Sequence, residues 1–295
     1  MDPIYIVFGL GVGVLVGLTG IGGGSLMTPL LILVGGVSPA VAIGTDLAYG
    51  AITKTVGGWR HLRQGTVDLG ISKWMAFGSV PGSVAGVALS TRIDVEALLI
   101  IVAVALSIAA LAILGRAFIR APKETESVDM HRRHRTSAVA IGVVLGAMVG
   151  MTSVGSGALI GPILILLYRL TPHRVVGTDV FHAAILLWTA SIAHGVVGNI
   201  DYLLTATILI GSIPGVWIGT SMLTRVPAAG LRPLLACVLL AAALGIATKA
   251  GLTLPAVGIV GPPLALGALF FALHRLRPAP PPTLAEVTPP EAIPA

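Results

Sequence analysis

The chain repeats itself at a fixed offset of 133 residues. The segment Thr19 to Leu26 (TGIGGGSL) returns as Thr152 to Leu159 (TSVGSGAL), and Gly44-Thr45-Asp46 returns as Gly177-Thr178-Asp179. His61 maps to His194, Asp68 to Asp201, and Gly78-Ser79-Val80-Pro81-Gly82 to Gly211-Ser212-Ile213-Pro214-Gly215, all without a gap. Duplicated halves whose apolar segments are interrupted by glycine at matching positions are the sequence pattern of a secondary transporter, with the binding site at the interruptions.

Composition places both halves in a bilayer. With 55% hydrophobic residues, 10% charged and a mean hydropathy of +0.98, there is too little polar surface to cover a soluble domain. Runs such as 95–114, 202–223 and 254–273 have the roughly 20 residues that a hydrocarbon core requires. The net charge of +6 does not mark a nucleic-acid partner, because Lys and Arg sit in short loops between apolar runs, where they set topology. Cys237 is the one cysteine; alone in an apolar run, it excludes a disulfide framework or a cysteine metal site and reads as a packing residue. The N-terminus lacks a basic region and a clear cleavage site and reads as mature protein.

Apolar segments fall near 4–34, 39–60, 70–90, 95–115, 137–168, 173–197, 202–223, 228–248 and 253–274. The first and fifth are about 31 residues long with glycine-rich centres, whereas two full crossings need roughly 40. They read as re-entrant hairpins or broken helices, tolerated where protein or a polar cavity surrounds the backbone. The linker 116–136 carries Arg116, Arg120, Lys123, Arg132, Arg133 and Arg135, so the positive-inside rule puts it in the cytoplasm. If the fifth segment returns to its own side, Arg169, Arg174, Arg225, Arg232, Arg275 and Arg277 join it there, and only Arg92 and Lys249 lie on the wrong face.

Matching loops then carry opposite basic bias, which predicts inverted repeats. The expected fold is an all-α integral membrane protein: repeat 1 at 4–115, the cytoplasmic linker at 116–136, repeat 2 at 137–248, an extra helix at 253–274 and a disordered Pro-rich tail at 278–295. Each repeat is one hairpin plus three transmembrane helices.

Glycine every fourth residue at Gly9, Gly13 and Gly17, and again at Gly142, Gly146 and Gly150, makes a small-xxx-small face on which helices approach closely; Gly82/Gly86 and Gly215/Gly219 repeat the device. Gly22-Gly23-Gly24 follows no strand and fails the context test for a dinucleotide fingerprint. It reads as a break between half-helices. A helix starting at Gly24-Ser25 or at Gly157-Ala158 presents free N–H groups and a positive dipole end at mid-membrane depth, and two such ends form a small anion site. Candidate substrate-binding residues are therefore Thr19, Gly22, Gly23, Gly24, Ser25, Thr152, Ser153, Gly155, Ser156 and Gly157. The rival reading is that the glycines are kinks and the hydroxyls bond back to helix carbonyls.

Asp46 and Asp179 are the carboxylates well inside apolar runs, where an ionised group is costly and functional by default. Candidate ion-coupling residues are Asp46 with Lys54 two turns on as counter-ion, Asp179 with His182 one turn on as proton carrier, and the interfacial His61 and His194. The rival reading makes each Asp a helix cap. The proline words at Gly78–Gly82 and Gly211–Gly215 read as supporting kinks near the central cavity.

Taken together, the LTGIGGGSL segment at 18–26, Gly-Thr-Asp at 44–46 with Lys54, Val-Gly-Thr-Asp at 176–179 followed by His182-Ala183, and the two proline words resemble the sulfite exporter TauE/SafE family over about residues 9–245. The resemblance implies a polytopic plasma-membrane transporter of small sulfur-containing anions such as sulfite, sulfoacetate or thiosulfate, with the glycine-rich tips and both aspartates at its site. Leu187 stands where repeat 1 has Lys54, so the halves cannot contribute equally to charge balance. The expectation is export of a small oxyanion or organosulfonate by alternating access, in the cell inner or plasma membrane, with a coupling proton or cation. No cofactor, metal or nucleic-acid partner is expected. The alternatives are uptake of a related anion or another solute, and an intramembrane hydrolase using Ser156 and His182.

Overall fold

The computed structural model describes residues 3–19, 24–118, 131–222 and 228–275, and within them eleven helices. These are α1 (Pro3–Thr19), α2 (Gly24–Leu33), α3 (Pro39–Arg63), α4 (Leu69–Ser90), α5 (Val95–Phe118), α6 (Arg132–Thr152), α7 (Ile160–Tyr168), α8 (Pro172–Val196), α9 (Tyr202–Met222), α10 (Ala228–Lys249) and α11 (Ala256–Arg275). The expected tail at 278–295, most of the linker, and residues 20–23 lie outside the described residues.

Helix boundaries follow local chemistry, and those of α3 and α8 and the starts of α4 and α9 match between halves. Pro39 and Pro172 open α3 and α8 at the first helical position, where a missing N–H leaves nothing unsatisfied. Asp68 and Asp201 cap α4 and α9 by accepting from Ile71 N at 2.9 Å and Leu204 N at 2.8 Å.

Both long segments are broken, and both fold back on themselves. The Tyr5 hydroxyl at the start of α1 donates to Gly35 O beyond the end of α2 (3.3 Å). In the second half Tyr168, at the end of α7, donates to His134 O near the start of α6 (3.2 Å). Each clasp brings the outer ends of a helix pair together, so α1–α2 and α6–α7 are hairpins. The tyrosine stands on opposite arms in the two halves.

The glycine faces join the halves. α1 runs along α9, and α6, the counterpart of α1, runs along α4, the counterpart of α9. A Cβ at Gly13 would lie 2.6 Å from Ser212 O, one at Gly17 2.6 Å from Val216 O, and one at Gly82 2.5 Å from Val143 O. Backbone meets backbone along both seams, as small-xxx-small faces allow. The contacts advance in the same direction on both helices, so each pair is parallel. α3 and α8 instead run antiparallel, with Gly50 against Leu187 and Gly57 against Val180.

Loop contacts sort the turns to two ends. At one end the Gly44 backbone meets the Asn199 carbonyl, Tyr5 meets Gly35, and Gly251 lies near Glu96. At the other end Gly177 meets Thr66, and Tyr168 meets His134. Lys249, a charge on the less basic end, is used locally: its Nζ donates to Ile32 O at 2.6 Å, satisfying a carbonyl in the last turn of α2.

The perimeter is apolar. Phe77 is 71% exposed, Trp217 78% and Val257 79%, an outer surface that water would not tolerate over such an area. Among the described residues, four helices are both long and apolar enough to cross a membrane: Val95–Gly115, Arg132–Thr152, Pro172–Val196 and Tyr202–Met222.

Candidate functional site

The Gly-Thr-Asp words lie on α3 and α8, and each of their residues has its own task. The glycine admits the neighbouring turn: a side chain at Gly44 or Gly177 would collide with Asn199 or Thr66 of the opposite half. The threonine caps that turn. Thr45 Oγ1 accepts from Asp201 N at 3.1 Å, and Thr178 Oγ1 accepts from Asp68 N at 2.9 Å. Each half thus anchors the other half's helix start, and the aspartate is left to face inward.

Asp46 is the point where the two hairpins meet. Its Oδ2 accepts from Thr28 Oγ1 of α2 at 2.6 Å and from Ser153 Oγ, where α6 breaks, at 2.8 Å. Thr28 and Ser153 lie 2.6 Å from each other, and all three residues are buried. Ser153 ends α6 in the left-handed region (φ 59°), a conformation that costs a non-glycine residue energy and turns the chain sharply into the break. The Oδ1 oxygen of Asp46 is buried with no hydrogen-bond partner among the described residues, as is Ser25 Oγ. Asp46 lies inside α3, whose N-cap is Ser38, so it does not cap its own helix.

Asp179 has different company. Thr28 and Ser153 correspond to Gly161 and Gly20, so the second half lacks those two hydroxyls. The cation that acts electrostatically on Asp179 is Lys54, across the α3–α8 contact. This corrects the expected pairing of Lys54 with Asp46: antiparallel packing brings Lys54 to the other half's carboxylate rather than to the one on its own helix. Lys54 Nζ is buried without a hydrogen-bond partner among the described residues.

One turn from each aspartate sits a second reciprocal pair. Tyr49 OH lies 2.8 Å from Ser212 Oγ, and His182 Nε2 lies 2.9 Å from Ser79 Oγ. Tyr49 and His182 are repeat equivalents, as are Ser212 and Ser79, so both pairs cross between halves. The serines of the proline words therefore hold α3 and α8, a role sequence reasoning missed. His182, the base of the hydrolase alternative, thus has its Nε2 engaged by Ser79.

Other expected residues are placed as follows. His194 is buried, with Nε2 2.9 Å from Gly150 O of α6, while His61 bonds to Thr66 Oγ1 at 3.0 Å across its own turn. Thr152 donates back to Met148 O at 2.7 Å, the helix-bonded reading for that hydroxyl. Ser25, Ser153 and Ser156 are 1% exposed, packed inside with the breaks. α2 begins at Gly24 as expected, but α7 begins at Ile160 rather than Gly157. Gly155 and Gly157 have φ of 119° and 102°, outside helical space, so the helix can start only beyond them. Gly22, Gly23 and the side chain of Thr19 lie outside the described residues.

Comparison with known proteins identifies the family of the chain. A family model described as Sulfite exporter TauE/SafE matches residues 5–246. The probable membrane transporter protein YjnA of Bacillus subtilis (strain 168) is 37% identical over 83% of this chain and 99% of its own length. YdhB of the same organism, also a probable membrane transporter protein, is 28% identical over 75% of this chain and 89% of its own. A probable membrane transporter protein of Xylella fastidiosa (strain 9a5c) is 28% identical over 76% and 87%. No solved structure matches the chain.

Proposed function

From its membership of the sulfite exporter TauE/SafE family, which makes this chain a multi-pass membrane transporter, we propose that it moves small sulfur-containing anions, sulfite or an organosulfonate such as sulfoacetate, out of the cell by alternating access. The observation that carries this reading is the convergence of α2, through Thr28, and of the second glycine-rich break, through Ser153, on one buried carboxylate, Asp46. A mid-membrane site built where two helices are interrupted is the arrangement of a secondary transporter. The α7 start at Ile160 and the α2 start at Gly24 leave first-turn N–H groups facing the breaks, donors suited to a small oxyanion.

The repeats are inverted. Support comes from α3 and its counterpart α8 running antiparallel, and from clasps that close the two hairpins at opposite ends. The end bearing Arg60, Arg63, Arg132, Arg169 and Arg174 faces the cytoplasm of an inner or plasma membrane. Alternating access is then movement of the hairpin tips around α3 and α8, with Asp46 and Asp179 binding the coupling proton or cation. Flux in proteoliposomes, with a panel of sulfite, thiosulfate, sulfoacetate, sulfate and chloride under imposed proton gradients of either sign, tests the assignment. Gradient-driven movement of the sulfur anions other than sulfate supports it. Equal movement of chloride and sulfite, or of neither, rules it out.

A further inference from the structure

The triangle at Asp46 has one proton too few for an ionised carboxylate. Three oxygens, Asp46 Oδ2, Thr28 Oγ1 and Ser153 Oγ, make three mutual contacts of 2.6, 2.6 and 2.8 Å. Each contact at that distance needs a hydrogen between its oxygens, and each hydroxyl supplies one. With Asp46 ionised, both hydroxyls turn to the carboxylate and the Thr28–Ser153 contact sets lone pair against lone pair. A third hydrogen, on Asp46 itself, closes the ring: Asp46 donates to one hydroxyl, that hydroxyl to the next, and the last back to Oδ2.

We propose that Asp46 is a proton-binding site whose occupancy holds α2 against the α6 break, so that losing the proton separates the two. The inference deepens the transport reading by naming the coupling ion and the carboxylate that carries it. Asp46 is suited to this and Asp179 is not. Lys54 supplies Asp179 with a cation, whereas α2, the break at 153–159 and α9 bring no Lys, Arg or carboxylate to Asp46. The titratable groups around it are Tyr49 on its own helix, bonded to Ser212, and His194 of α8, whose Cβ abuts Gly44 and whose Nε2 is engaged by Gly150 O. Neither takes part in the ring. When the proton leaves, it passes to water, and both hydroxyls turn to the carboxylate while the contact between Thr28 and Ser153 is lost. Thr28 belongs to the first hairpin and Ser153 to the second, so one proton governs a contact between the halves.

Asparagine is the diagnostic replacement, because its amide donates and its carbonyl accepts as a protonated carboxyl does. Infrared spectra of the full-length protein at neutral pH should show a protonated-carboxyl carbonyl band that Asp46→Asn removes and Asp179→Asn leaves. In a Cys237→Ser background, a cysteine placed at the second tip by Ala158→Cys, 1% exposed in its native form, should react several-fold faster as the pH is raised. Adding Asp46→Asn should leave only the thiol's own pH dependence. A neutral-pH spectrum unchanged by Asp46→Asn, or a pH response of the tip that survives it, would overturn the proposal; so would sodium, rather than acid, closing the tip. Absence of sulfur-anion flux with both results intact would remove the substrate reading and leave the proton site standing.

Discussion

Replacing Gly146 by alanine tests the seam that carries the halves. A methyl there would sit 2.7 Å from Ser79 Cα and closer still to the Ser79 carbonyl oxygen. Carbon atoms in van der Waals contact stand about 3.5–4.0 Å apart, so α6 and α4 must part by about 1 Å. Both neighbours are backbone, and no rotamer relieves the overlap. Overpacking of this kind costs about 1–3 kcal/mol, against about 1 kcal/mol that alanine gains over glycine in a helix. Gly11→Ala is the control: no atom lies within 4 Å of its new methyl, so only the gain applies. The helix gain is common to both variants, so they should differ by the overpacking cost, about 1–3 kcal/mol in unfolding free energy. Thermal unfolding in detergent should place Gly11→Ala at or above the native protein and Gly146→Ala below it. Ser79 also holds His182, so substrate exchange should fall with Gly146→Ala beyond its loss of folded protein. Equal midpoints for the two alanine variants would refute the close backbone contact on which the reciprocal pairing rests.

Three further outcomes follow from the same geometry. Single cysteines in a Cys237→Ser background at Gln64 and Thr171 should label from the cytoplasm, and those at Val37 and Ile200 from outside; external labelling at both 37 and 171 would remove the inverted arrangement. Ser156→Val, and Gly23→Val at the matching position of the first break, should abolish thiosulfate binding measured by calorimetry while Ser156→Ala costs less, since alanine deletes a hydroxyl and leaves the backbone donors. Lys54→Met should lower stability by removing the cation that offsets the Asp179 charge. Adding Asp179→Asn should restore most of that stability but not transport, so a double variant as unstable as Lys54→Met alone would show that the two residues are not partners.

The 133-residue offset made the helical framework legible. It located both breaks, the glycine faces and the aspartates, because each carries the same chemistry twice. It could not show that equivalent positions reach across to the other half. Tyr49 and His182 share no chemistry, so their common task on Ser212 and Ser79 was hidden until α3 and α8 lay side by side. The partners of Asp46 were hidden for the opposite reason: Thr28 and Ser153 have glycine counterparts, so a search for repeated words passes over them. Lys54 was read along its own helix, where eight residues separate it from Asp46, although helix packing sets the distance to Asp179. Lys249 looked misplaced by charge bias alone, since only the fold reveals the Ile32 carbonyl that it satisfies.

The most direct test of the account is proton-driven accumulation of a labelled sulfur oxyanion in liposomes, measured beside exchange at equal substrate on both sides. The native protein should do both. Asp46→Asn, which keeps the ring but cannot release a proton, should lose gradient-driven accumulation, whereas Ser79→Ala should lower rates without uncoupling. Full proton-driven accumulation by Asp46→Asn would contradict the assignment of this carboxylate to coupling and reduce the meeting of the two hairpins to scaffolding.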